Sequence, residues 1–91
     1  MYKIKTTFPF DEDLKKLDRQ VAERVLEKIE YLACHPELIR FPIRYLPKHL
    51  AGLKKYRVGN WRVYLWVSHE QKEIILYGVE HRGEAYKRFK K

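Results

Sequence analysis

The sequence predicts an α+β domain of two layers, in the order β-α-α-β-β-β. An antiparallel sheet packs against two N-terminal helices, and a short C-terminal helix closes the chain. Three observations predict this. Apolar residues recur at helical spacing only between positions 14 and 33, residues 61–68 alternate with a period of two, and the later segments are joined by short polar connections. Strands joined that closely pair antiparallel. The whole chain, residues 1–91, reads as one domain, because a chain this short has no room for a second core.

Tyr2-Lys3-Ile4-Lys5-Thr6 alternates and is rich in strand formers, so it opens the sheet, and Pro9 ends it. Asp11 is placed to cap a short helix carrying Leu14 and Leu17. Asp18 is placed to cap a longer one, on which Val21, Ala22, Val25, Leu26, Ile29, Leu32 and Ala33 form an apolar stripe that stops before Pro36. Residues 36–52 hold Pro36, Pro42, Pro47 and Gly52 and should be irregular, yet Leu38, Ile39, Phe41, Ile43 and Leu46 give the segment reason to pack down. Leu53 to Val58 reads as a strand and Gly59-Asn60 as a turn. From Trp61 to Ser68, Trp61, Val63, Leu65 and Val67 face one way, and Arg62, Tyr64, Trp66 and Ser68 the other. His69 to Lys72 is a polar hairpin loop. Glu73 to Arg82 is a mostly apolar strand in which Gly78 marks a bulge or a close backbone approach. Glu84 to Phe89 supplies the closing helical turn.

The formal net charge of +8 is uneven: residues 1–39 carry −1 and residues 40–91 carry +9. Such a half-molecule suits a polyanionic partner, with a solvated basic surface as the plainer alternative. The lone cysteine, Cys34, excludes an intrachain disulfide and a multi-cysteine zinc site, and its place at the end of an apolar helix predicts a buried, inert thiol. The start MYKIKTTFPF lacks the apolar run of a signal peptide, and no stretch approaches the length of a membrane span, so a cytoplasmic protein with no membrane partner is expected. Four histidines lack metal-ligand spacing, Gly52 begins no phosphate loop, and the lone Ser68 names no triad.

What remains is phosphate chemistry by cations, a tyrosine and a histidine, or binding without turnover. Arg62, Tyr64 and Trp66 should project together from the uncovered sheet face, where aromatic rings stack on bases and guanidinium groups grip phosphates. The alternative is that Tyr64 and Trp66 pack under the Pro-rich segment or the terminal helix. If the hairpin loop lies near residues 69–72, Arg62 stands opposite about residue 79, within reach of Arg82. Two arginines so placed would stabilise a phosphate in transit. Tyr86 and His81 are the candidates for proton transfer, and His81 is otherwise a solvated strand-end residue.

The stretches KYRVGNWRVYLWV and EIILYGVEHRGEAY resemble the RelE/ParE superfamily of toxins from type II toxin–antitoxin systems. Leu53, Lys54, Lys55, Tyr56, Arg57, Gly59, Trp61, Arg62, His81, Arg82 and Tyr86 carry the resemblance, and length, basicity and element order agree over nearly the whole chain. It implies the RelE/ParE-like fold and, for the RelE branch, a metal-independent endoribonuclease that cuts mRNA on the ribosome by 2′-hydroxyl attack, needing no cofactor. By that resemblance Arg62 and Arg82 stabilise phosphate charge, Tyr86 or His81 moves protons, and Lys54, Lys55, Arg57, Tyr64 and Trp66 contact RNA. It further implies a cognate antitoxin whose acidic segment covers the basic face in a toxin–antitoxin hetero-oligomer. Trp61 replaces the usual Tyr or Phe, His81 replaces a lysine found in some members, and the lysine placement before Arg57 is ambiguous by one position. The ParE branch shares the fold but poisons DNA gyrase, and a degenerate binding module is the third possibility.

Overall fold

A computed structural model describes residues 1–84 and 87–89. Strand β1 (Lys3–Thr6) leads to helices α1 (Phe8–Lys15) and α2 (Arg19–Cys34), then to strands β2 (Phe41–Pro42), β3 (Lys54–Val58), β4 (Trp61–Ser68) and β5 (Glu73–His81). The sheet order is β1-β5-β4-β3-β2. Strands β3, β4 and β5 form the expected antiparallel meander, but β1 runs parallel to β5, with Ile4 beside Ile74. The sheet is therefore mixed rather than wholly antiparallel. A helical crossover from β1 to β3 returns the chain in its original direction, and alternate strands of a meander, β3 and β5, share a direction. Strand β1 must then match β5.

Alternation on β4 decides the two layers. Val63 and Leu65 are fully buried and meet Val25, Ile29, Leu32 and Ala33 of α2, while Ile74, Leu76 and Val79 of β5 extend the same core. Burying each such side chain contributes roughly 1.5–3 kcal/mol. Phe10 adds a buried ring from α1. Thr7, not Asp11, caps that helix: its hydroxyl accepts from the Phe10 N–H and donates to the Leu76 carbonyl at 2.9 Å. Pro9 falls within the first turn, where its missing N–H is no loss, so it begins the helix as well as ending the strand. Asp18 occupies the N-cap of α2 without a side-chain cap bond.

Cys34 is exposed, contrary to expectation. The buried stripe on α2 ends at Leu32 and Ala33, and the next residue turns about 100° further, onto the outer face. The Pro-rich segment is ordered into two short 3₁₀ turns, Pro36–Leu38 and Lys48–Leu50, around β2, an edge strand that propensity did not indicate. Beyond His81, the expected C-terminal helix is, among the described residues, a pair of 3₁₀ turns at Arg82–Glu84 and Lys87–Phe89. No described helix is long and apolar enough to cross a membrane.

Gly78 satisfies both readings of its role. Tyr64 pairs with Gly78 while Leu65 pairs with Leu76, so Tyr77 is the extra residue of a β-bulge. The bulge resets the alternation so that Leu76 and Val79 both reach the core. A Cβ at Gly78 would collide with the Arg88 guanidinium and come within 2.8 Å of Asp13 Oδ2. We predict that Gly78→Ala destabilises the fold by about 2 kcal/mol, lowering the melting temperature by roughly 10 °C. In an Arg88→Ala background the same change should cost less than half as much. Equal costs in both backgrounds, by thermal denaturation, would remove Arg88 as the cause.

Candidate functional site

The face of the sheet away from the helices divides into two electrostatic zones. On it, Arg57, Arg62 and Glu80 stand side by side across three strands, with Lys55, Tyr64 and Gly78 in the next row. In the second zone the charges are paired with one another. Tyr64 Oη donates to Glu80 Oε1 at 2.9 Å, Arg88 Nε donates to Glu80 Oε2 at 2.9 Å, and Arg88 Nη2 donates to Asp13 Oδ2 at 2.6 Å. Asp13 Oδ2 also accepts from the Val79 N–H at 2.9 Å, which caps the edge of β5 beyond the end of β1. Burial works against the Arg88 charge, but its hydrogen bonds and attraction to Asp13 and Glu80 outweigh it and hold the guanidinium above the ordinary arginine range. The Arg88 guanidinium also lies over the Tyr64 and Tyr77 rings, and Phe89 meets Tyr64 edge-on at 5.0 Å.

Tyr64 is consequently fully buried and cannot stack on a base; this corrects its assignment as an RNA contact. The terminal segment covers it, as the alternative reading allowed. Trp66 is half-buried: its Nε1 donates to the Ala51 carbonyl at 3.0 Å and its ring meets Tyr77 edge-on. The structure gives it a packing role at the end of the Pro-rich segment rather than an open stacking surface.

The first zone gathers the cations. Phe41, Lys55, Tyr56, Arg57 and Arg62 line a cleft of about 380 Å³. Phe41 pairs with Lys55 across β2 and β3 and is 56% exposed, so an aromatic surface is offered beside the cations. Arg57 is steadied by its Nε, which donates to the Gly59 carbonyl at 3.1 Å across the turn. Lys54 pairs with Leu65 and so shares the helix-facing side, whereas Lys55 pairs with Tyr64 on the cleft side. Of the two lysines, Lys55 therefore lies on the cleft side and Lys54 does not.

His81 is misplaced for the role expected of it. It pairs with Trp61, whose ring it meets edge-on at 5.0 Å, on the side of the sheet opposite Arg62. Its Nδ1 accepts from the Gly83 N–H at 3.2 Å, and it lines a hollow with Asp13 of α1 and with Lys16 and Leu17 just beyond that helix. The Tyr77 bulge shifts the pairing by one, so Arg62 faces Glu80 rather than residue 79. Arg82 is exposed at the start of a 3₁₀ turn, and its N–H donates to the Asn60 carbonyl at 2.7 Å. That bond ties the end of β5 to the β3–β4 turn, so Arg57, Arg62 and Arg82 stand at one end of the sheet. Tyr86 lies outside the described residues. Sequence reasoning missed Phe41, Glu80 and Asp13. The signals were an aromatic next to Pro42 and a lone carboxylate late in an apolar strand.

The sequence matches, over residues 4–86, a family model described as the ParE toxin of the type II toxin–antitoxin system parDE. No curated protein matches it. Among solved structures, the chain is similar to one in the RelBE2 toxin–antitoxin complex of Mycobacterium tuberculosis, at 27% identity and a TM-score of 0.76, covering 89% of this chain and 98% of that one. It is also similar to one in the archaeal RelE–RelB complex of Pyrococcus horikoshii, at 25% identity and a TM-score of 0.68, covering 92% and 98%. The isolated Escherichia coli RelE toxin shares the fold, with a TM-score of 0.70 at 19% identity over 97% and 98% of the two chains.

Removing the hydroxyl that Glu80 accepts from should loosen the second zone. Tyr64→Phe is expected to lower stability by about 1 kcal/mol, which thermal denaturation would read as a drop of several degrees. An unchanged melting temperature would mean that this hydrogen bond contributes nothing.

Proposed function

The chain belongs to the ParE toxin family of type II toxin–antitoxin systems, and from that premise we propose that it is a toxin that cuts mRNA, its cationic cleft holding the scissile phosphate. The observation that carries this reading is the row of Arg57 and Arg62, joined by Lys55 and the exposed Phe41 ring in one cleft that has no carboxylate among the described residues of its lining. The adjacent carboxylate, Glu80, is held by Tyr64 and Arg88.

In this reading the 2′-oxygen of a ribose attacks the neighbouring phosphorus, the bond to the 5′-oxygen breaks, and a 2′,3′-cyclic phosphate and a free 5′-hydroxyl result. One proton leaves the 2′-hydroxyl and one is delivered to the departing oxygen. Arg62 supports the charge that builds on the phosphate, with Lys55 and Arg57 gripping the backbone and Arg82 at the same end of the sheet. Phe41 offers a stacking surface to a base. Tyr86 is assigned the proton transfers by family resemblance, since His81 faces the helices. An antitoxin with an acidic segment would silence the toxin by covering the cleft, forming a hetero-oligomer as in the RelE–RelB complexes that the fold resembles.

A second reading is that the chain poisons DNA gyrase, as ParE toxins do. It is favoured by the family model that matches and by the turning of His81 away from the cleft.

Programmed ribosomes separate the two. The first reading expects mRNA cut in the ribosomal A site, with Arg62→Ala lowering the rate about 100-fold at an unchanged melting temperature. Intact mRNA together with trapped DNA breaks in cells would select the gyrase reading instead.

A further inference from the structure

We infer that the RNA track does not end at the cleft: it continues on one side to Arg44 and on the other, round the β3–β4 turn, to Arg24 and Lys28 of α2. This rests on the RNA-directed reading above and adds the outer contacts. Three hollows carry it. Lys55 lines both the central cleft and a neighbouring hollow formed by Pro42, Ile43 and Arg44. Arg57 lines both the cleft and a third hollow, which it shares with Arg24, Lys28, Tyr31 and Gly59. The two shared cations make the three hollows neighbours, from the loop after β2, across β3, to the outer side of α2.

The charge along this path is one-sided. From Leu38 to His69 the chain has no Asp or Glu, and it carries seven Lys or Arg. The hollow on α2 has one carboxylate, Glu27, against Arg24, Lys28 and Arg57. Among the described residues, no ion pair engages Arg24, Lys28 or Arg44. Elsewhere on the molecule, surface cations such as Lys5, Lys15 and Arg19 do pair with carboxylates. Aromatic rings interleave with the cations at each end: Tyr45, 96% exposed, follows Arg44, and Tyr31 lies under the Lys28 ammonium at 5.1 Å. Gly59, with φ at 60°, turns the backbone tightly there, and a side chain at that position would approach Arg24. Cations spaced along a groove with aromatic rings between them suit a flexible phosphodiester backbone. A compact acidic peptide would need only one of the three hollows, so single-stranded RNA is the occupant the geometry favours.

The test is binding of uncleavable 2′-O-methyl RNA of about four and about twelve nucleotides to the full chain at several salt concentrations. The parent should bind the long RNA much more tightly than the short one. The triple variant Arg24→Gln, Lys28→Gln, Arg44→Gln should bind long RNA roughly tenfold or more weakly and lose most of that length advantage. Its plot of log affinity against log salt should flatten by about 2, three phosphate contacts at about 0.7 each. The three side chains are at the surface, so a melting curve matching the parent's should confirm that the fold survives. Charge reversal at Arg44 alone gives a second variant, in which the loss should be confined to long RNA. Equal long-RNA affinity in parent and variants would overturn the track while leaving the cleft intact. Failure of the parent to bind either RNA would overturn both readings together. Loss of binding to an acidic antitoxin peptide, with RNA binding unchanged, would assign these residues to a protein partner and overturn the track.

Discussion

Side-chain alternation along β4 is the constraint on which the rest of the structure depends. It is the central strand of the sheet, and its register sends Val63 and Leu65 under α2 while turning Arg62, Tyr64 and Trp66 to the opposite face. A slip of one residue would bury Arg62 among aliphatic side chains and expose the core valine and leucine, so burial fixes the register strongly. Because β3 and β5 pair with β4 on either side, the same register places Arg57 and Glu80 beside Arg62. The chemistry of the open face thus follows from the packing of the covered one.

The open face is itself divided by the terminal segment. Arg88 brings one positive charge to two carboxylates, Asp13 and Glu80, and closes that part of the sheet around Tyr64 and Tyr77. Such a half-buried pair of ion pairs holds best when every partner is present, since removal of one leaves an uncompensated charge. Its consequence for function is indirect. Glu80 is Arg62's direct neighbour on the sheet, and its two carboxylate oxygens are bonded by Tyr64 and Arg88. Pairing of the carboxylates on one side of the face leaves the cations gathered on the other.

Much of this was legible in the sequence. The β4 alternation, the Gly59-Asn60 turn, the 69–72 hairpin loop, the stop of α2 before Pro36 and the bulge at Gly78 all have local signals, and the structure contains each of them. The family resemblance followed from strands five to nine residues long whose motif residues lie close in sequence. What escaped depended on distant parts of the chain. Burial of Tyr64 requires Arg88 and Phe89 to fold back, and no local pattern announces that. His81 adjoins Arg82 in sequence, but it follows Glu80 on β5, and neighbours on a strand point to opposite faces, so it joins Trp61 rather than Arg62. The short edge strand at Phe41–Pro42 has no periodicity to detect, and it supplies the aromatic wall of the cleft.

The account's central claim is that a polyanion seats on the open face between β2 and β4. The most direct measurement is a backbone amide NMR titration of the protein with a short uncleavable RNA. The account predicts the largest shifts at Phe41, Lys55, Arg57 and Arg62, with α1 and His81 unmoved. Shifts concentrated around Trp61, His81 and Lys16 on the helix-facing side, with the cleft silent, would contradict it.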